Sequence, residues 1–223
     1  MSTLTGNQLT EKDCIIEFGE EFSNKYIPQF REVYYFFKKH AVDENSLIRK
    51  LHLGYTAMRP EAFDFVAKEF PWIEEFRVNF GLEKKLNFLE SNGIEKPEFK
   101  LHIDGKVGDP SVMFNCPILN CTNETVTYWI EPLEDYDTIL LCENGTKTEK
   151  KYGATPHLSE NTKYRIIHSQ SIIDRCVLFR SDIFHGVKNN SNRNEDRIMM
   201  HWWFPKSIEW SHDNIETILK KDK

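Results

Sequence analysis

"KLHIDGK", residues 100–106, decides how this chain is read. Phe99, Leu101 and Ile103 alternate with Lys100, His102 and Asp104, the period of a β-strand. Residues i and i+2 of a strand share a face. His102 and Asp104 therefore stand side by side at a strand end, just before Gly105. An imidazole and a carboxylate placed this way can supply two ligands of a metal site, whose remainder would have to come from elsewhere in the chain.

Working outward, everything downstream has a β texture. Short alternating or β-branched runs cover 98–103, 112–119, 125–130, 138–142, 163–168, 174–180, 184–188 and 196–204. Turn material such as Gly108-Asp109-Pro110 and Glu143-Asn144-Gly145 separates them. Short strands at this spacing suggest a sandwich or barrel, of which the jelly roll is one kind. Upstream, the spacing predicts helices. Phe30, Val33, Tyr34 and Phe37 form one apolar stripe, and Phe63, Val66, Ala67 and Phe70 a second. Ile73, Phe76 and Phe80 continue the pattern after Pro71, and Gly93 and Pro97 end it. A short amphipathic helix is expected over 207–221, with Ile208, Ile215, Ile218 and Leu219 as its apolar positions. The expected fold is mainly β with N-terminal helices (α+β), one domain over 1–223. It divides into a helical part at 1–95, a β core at 96–205 and a C-terminal helix at 206–223.

Composition narrows the class. Of 223 residues, 39% are hydrophobic and 13% aromatic, enough for a sizeable core. The net charge of -6 disfavours a nucleic-acid backbone as partner, since phosphates need concentrated basic surface. Five cysteines, an odd number without a C-x-x-C pair, read as free thiols in a reducing cytoplasm. No apolar run of about 18 residues predicts a membrane span, and the first residues carry no signal-peptide core.

Partners for His102 and Asp104 stand in "SDIFHGVKNNSNRNEDRIMMHWWF", 181–204. His185 lies in a short strand and Arg197 opens the last one. Arg197, Met199, His201 and Trp203 share one face there, and Ile198, Met200, Trp202 and Phe204 the other. Two imidazoles and one carboxylate on a single face suit non-haem Fe(II) and leave coordination positions open. Arg197 offers a bidentate grip for a carboxylate. His-x-Asp alone is a weak signal, and a capped strand-end histidine explains it equally well. The weight lies in the joint pattern. Taken singly, Arg197 also reads as a salt-bridge partner of Glu195 or Asp196, and His201 as a satisfied core histidine. Cys116 and Cys121 read as buried thiols.

His102-x-Asp104, His185 and Arg197 together resemble the pattern of the Fe(II)- and 2-oxoglutarate-dependent dioxygenases. "HGVKNNSNRNEDRIMMHWWF", 185–204, is similar to the C-terminal motif of the prolyl-hydroxylase-like and phytanoyl-hydroxylase-like branches. "PILNCTNETVTYW", 117–129, loosely resembles the strand-turn-strand after the first motif in the prolyl hydroxylase branch. The resemblance covers about 98–205. It implies a double-stranded β-helix (jelly roll) core, with His102, Asp104 and His185 on iron and Arg197 on the distal carboxylate of 2-oxoglutarate. It also implies O2 as co-substrate and a C–H bond hydroxylated with release of succinate and CO2. The substrate would be an amino acid, a peptidyl residue or a small metabolite. Many members carry Ser or Thr two residues after the Arg, where this chain has Met199. Tyr128 is a candidate for the missing hydroxyl, and Asn115 for a contact to the metal-binding end of the co-substrate. Two alternatives stand beside this reading: a non-catalytic jelly-roll binding module, and a cupin-like metalloenzyme that does not use 2-oxoglutarate. The N-terminal helices could cover the barrel, shape the substrate mouth or form a homodimer surface.

Overall fold

In the computed structural model, residues 9–43, 45–51, 55–91, 98–104, 108–142, 154–190 and 195–222 are described. The chain begins with a single helical turn α1 (Glu11–Cys14), strand β1 (Ile15–Glu17) and the long helix α2 (Glu20–His40). Glutamates in the first turn of α2 and Lys38, Lys39 and His40 in its last suit the helix dipole. A hairpin follows, β2 (Ile48–Leu51) and β3 (Tyr55–Met58), then a 3₁₀ turn at Pro60–Ala62. Next come α3 (Phe63–Glu69) and α4 (Pro71–Phe80). Pro71 opens α4, where a missing N–H costs nothing, and Gly81 closes it at φ 74.

The strands that follow are β4 (Leu86–Ser91), β5 (Glu98–His102), β6 (Val112–Leu119), β7 (Thr125–Pro132), β8 (Thr138–Cys142) and β9 (Ala154–Leu158). They continue with β10 (Tyr164–Gln170), β11 (Val177–Arg180), β12 (His185–Asn189) and β13 (Arg197–Trp203), before the last helix α5 (His212–Lys220). They form two antiparallel sheets. One has the order β1-β11-β6-β13-β4-β3-β2 and the other β10-β7-β12-β5-β9-β8. From β4 to β7, and again from β10 to β13, the chain alternates between the sheets, giving a jelly-roll-like arrangement.

Each sheet face has its own core. Ile198, Met200, Trp202 and Phe204 pack with Phe30, Phe37, Phe76 and Phe80 of the helices. Trp202 is fully buried, stacks on Phe76 at 5.7 Å and donates its indole N–H to the Glu83 carbonyl at 2.6 Å. Residues of opposite parity face the other sheet: Met113, Val177, Phe179 and Met199 meet Trp129 there. The predicted apolar stripe of α2 is buried at all four positions.

Two expectations need correction. Residues 1–95 are not helical throughout, because β1, β2, β3 and β4 lie within them and extend the larger sheet. Three to six residues are too few to show a period. In "LNFLES", Leu86 and Leu89 sit three apart as they would on a helix. The C-terminal helix begins at His212 rather than 207, where the Ser211 hydroxyl accepts the Asn214 N–H. The boundary expected at 95/96, Gly93, Pro97, Gly105 and the turn at 143–145 lie outside the described residues.

Candidate metal centre

The end of β5 and the start of β12 lie side by side. His102 and His185 are register partners in this antiparallel pair, so both rings point to one face, and their centroids lie 4.5 Å apart. Asp104 follows two residues after His102. Its backbone N–H donates to the Ser181 carbonyl at 3.1 Å, which pins it to the end of the opposite sheet. The carboxylate then reaches both rings: Oδ1 is 3.6 Å from His102 Nε2 and Oδ2 is 3.2 Å from His185 Nε2. One ligand atom from each residue lies within 4.8 Å of the others, so His102, Asp104 and His185 form a group able to hold a metal ion.

The hydrogen bonds favour a cation there. His185 Nδ1 lies 2.9 Å from the Ile183 carbonyl. A carbonyl only accepts, so Nδ1 carries the proton. In the neutral ring Nε2 is then a bare lone pair aimed at a carboxylate oxygen. Two acceptors face each other at 3.2 Å unless a proton or a metal lies between them. Adjacent ligand atoms around a six-coordinate ion at ~2.1 Å stand about 3 Å apart, close to the separations found here. Burial pulls the Asp104 carboxyl up, but where a proton rather than a metal lies between it and the two rings, their hydrogen bonds and charge outweigh burial and hold it well below the usual carboxylate range. It is therefore ionised at neutral pH, the form that a metal ion binds.

The cavity beside the group runs between the two sheets. Arg197, His201 and Asn115 line it from the larger sheet, and Thr127 from the smaller. Arg197 is 4% exposed and makes no ion pair with a carboxylate among the described residues. Among the described residues, its Nε and Asn115 Oδ1 have no hydrogen-bond partner. Burial pulls the guanidinium pKa down, and the Cys121 thiol beside it only partly offsets this. A buried, unpaired cation costs several kcal/mol, which an incoming anion would recover. Burial also pushes His201 down to about 4, so its ring is neutral.

The structure thus brings together His102, Asp104, His185, Arg197 and Asn115 at one cavity. It does not bring Tyr128 there. Thr127 lines the cavity and Trp129 packs between the sheets, so Tyr128 falls on the opposite face with Ile103, Ile130, Leu158 and Phe184. Sequence alone does not fix which parity of "TVTYWI" faces inward, and one step of register exchanges the faces. Thr127 and Ser91 are the polar inward residues that sequence reasoning missed.

No protein-family model and no curated protein sequence matches the chain. Among solved structures it is similar to the epimerase SnoN in complex with Fe3+, alpha ketoglutarate and nogalamycin RO. That likeness has 13% identity, covers 88% of this chain and 84% of the other, and has a TM-score of 0.46. A Pseudomonas putida prolyl-4-hydroxylase is also similar, at 14% identity over 85% of this chain and 90% of the other, with a TM-score of 0.31. So is the Trichoplax adhaerens prolyl hydroxylase in complex with a hypoxia inducible factor peptide fragment. There identity is 16%, over 87% of this chain and 84% of the other, with a TM-score of 0.36.

Proposed function

We propose that this chain is an Fe(II)- and 2-oxoglutarate-dependent dioxygenase with a double-stranded β-helix core. The alternation of β4, β6, β11 and β13 with β5, β7, β10 and β12 between two sheets supports that core. One observation carries the function: a buried Arg197, without a carboxylate partner among the described residues, shares a cavity with a facial two-histidine, one-carboxylate group. A metal site alone does not require that arginine. A site for a metal-chelating dicarboxylate does.

His102, Asp104 and His185 would hold the iron, and Arg197 would anchor the carboxylate of 2-oxoglutarate far from it. Bound ferrous iron supplies the activation of O2 that oxidatively decarboxylates 2-oxoglutarate and hydroxylates a C–H bond. The protein's part is orientation and exclusion of water. Asp104 stays ionised, the Ile183 carbonyl fixes the His185 tautomer, and neutral His201 adds no charge beside Arg197. Leu89, Ile172, Phe179, Val187 and Met199 keep the rest of the cavity apolar. The substrate class is an amino acid, a peptidyl residue or a small metabolite. The acidic chain and the free thiols Cys14, Cys116, Cys121 and Cys176 support a cytoplasmic enzyme that does not act on nucleic acid. No helix among the described residues is long and apolar enough to cross a membrane.

Incubation with Fe(II), 2-oxoglutarate and air tests this. NMR should detect slow, iron-dependent formation of succinate even without a substrate, and Asp104→Ala should abolish it. Equal succinate from wild type and Asp104→Ala would refute the assignment.

A further inference from the structure

The gap between the sheets does not end at the metal group. The chain passes from β4 to β5, β6 to β7, β10 to β11 and β12 to β13, and the strands joined in this way hold corresponding places in the two sheets. Beyond β4 the larger sheet continues with β3 and β2, and beyond β5 the smaller continues with β9 and β8. Both extensions therefore run the same way from the metal group.

A row of residues in register crosses each sheet, and opposed residues of an antiparallel pair share a face. On the smaller sheet the row is His185, His102, His157 and Ile139. The His157 ring stacks on His102 at 5.4 Å. On the larger sheet the row is Asn115, His201, Asn87, Ala57 and Arg49. Asn115 and His201 line the cavity, which identifies this face as the inward one. Ile48 and Met58, of opposite parity, pack under the helices. Arg49 thus stands on the inward face, two strand spacings or ~10 Å beyond β4.

Arg49 Nε is buried and, among the described residues, has no hydrogen-bond partner. No Asp or Glu occupies an inward position of β2, β3, β4, β8 or β9. A guanidinium facing inward without an acid beside it is a site for an anion brought from outside, and its planar fork matches a carboxylate. Three strand spacings, ~14 Å, separate β2 from β13 and its Arg197. 2-Oxoglutarate, anchored on β13 and chelated at the metal group, does not reach that far, so the anion at Arg49 is a different molecule.

We infer that Arg49 binds the primary substrate and that this substrate is a small free carboxylic acid, its carboxylate on the guanidinium and its reacting carbon at the metal group. The inference rests on the function proposed above and narrows its substrate class. A residue inside a peptide has no α-carboxylate to offer.

The test has two arms, both run with free L-amino acids, the matching 2-hydroxy acids and the carboxamide of each. In the first, saturation-transfer NMR screens them against iron-free protein in excess 2-oxoglutarate, which occupies Arg197. Acids should bind and their carboxamides should not. In the second, Fe(II)-loaded protein is given 2-oxoglutarate, air and the same compounds. An acid that binds should raise succinate formation above the rate without it. Arg49→Gln should raise half-saturation for that acid roughly tenfold and erase the preference for acid over carboxamide, and Arg49→Lys should restore part of it. Binding of no acid, equal binding of acids and carboxamides, or a preference that survives Arg49→Gln would overturn the inference. The proposed function would then stand on the succinate formed without substrate. Acids that bind while wild type forms no succinate would overturn the proposed function, and the acid's role as substrate with it. If Arg49→Gln fails to fold, Arg49→Met, which keeps the aliphatic stem, carries the same comparison.

Discussion

At the scale of single residues, the site is defined by polar groups that the protein leaves unsatisfied. Buried donors and acceptors are nearly always paired in folded proteins. Among the described residues Arg197 Nε, Ser91 Oγ and Asn115 Oδ1 are among the exceptions, and these three belong to strands bordering the cavity. His201 gives the same environment a pH signature. Its folded-state pKa of about 4 lies below the ordinary histidine value. As pH falls, the unfolded chain therefore takes up the proton first. His201 contributes its full stability above about pH 6.5 and loses it progressively towards pH 4, on the order of 3 kcal/mol in all. The urea midpoint of metal-free protein should fall between pH 7 and pH 5, and His201→Gln should flatten that fall. An identical slope in the variant would show that His201 is not held neutral by the fold.

At the scale of elements, β13 does two jobs by parity. Arg197, Met199 and His201 face the cavity, while Ile198, Met200 and Trp202 face the helices. This was legible in the sequence, because seven consecutive residues with two chemically distinct faces leave one consistent assignment. The His-x-Asp pair was legible from the strand period too, although β5 ends at His102 and the hydrogen bond of the Asp104 N–H to the Ser181 carbonyl holds the carboxylate in place. β4 was not. Its six residues mix apolar and polar positions without a clear period, and its place beside β13 is a long-range pairing that local sequence does not encode. Ser91 was missed with it. Tyr128 was misplaced because the inward parity of β7 is set by its partners, β12 and β10, and not by its own composition. The division of labour on β13 predicts unequal losses for the neighbouring tryptophans. Trp202→Ala should cost about 3–5 kcal/mol, from the cavity it leaves among Phe30, Phe63 and Phe76. Trp203→Ala, at a half-buried ring beneath Lys85, should cost clearly less. Chemical denaturation of both variants checks this, and equal losses would mean that the helical core does not depend on Trp202.

At the scale of the whole molecule, the two sheets have different roles. The smaller carries the two histidines of the candidate metal group on β5 and β12, and the larger carries Arg197, the proposed carboxylate anchor, on β13. Packing the sheets face to face brings the two halves to one cavity. The helices stiffen the larger sheet from behind, with α2, α4 and α5 all contributing to its outer core. Sequence reading could propose the partners because the strand count implied sheet closure, but only the closed fold puts them at one cavity. The central claim is that metal and dicarboxylate bind together there. Anaerobic titration of 2-oxoglutarate into Fe(II)-loaded protein measures this directly. The account predicts a visible charge-transfer band that saturates at one equivalent of iron, is absent in His102→Ala, and needs far more co-substrate in Arg197→Ala. Iron bound without any such band, or a band indifferent to both substitutions, would contradict it.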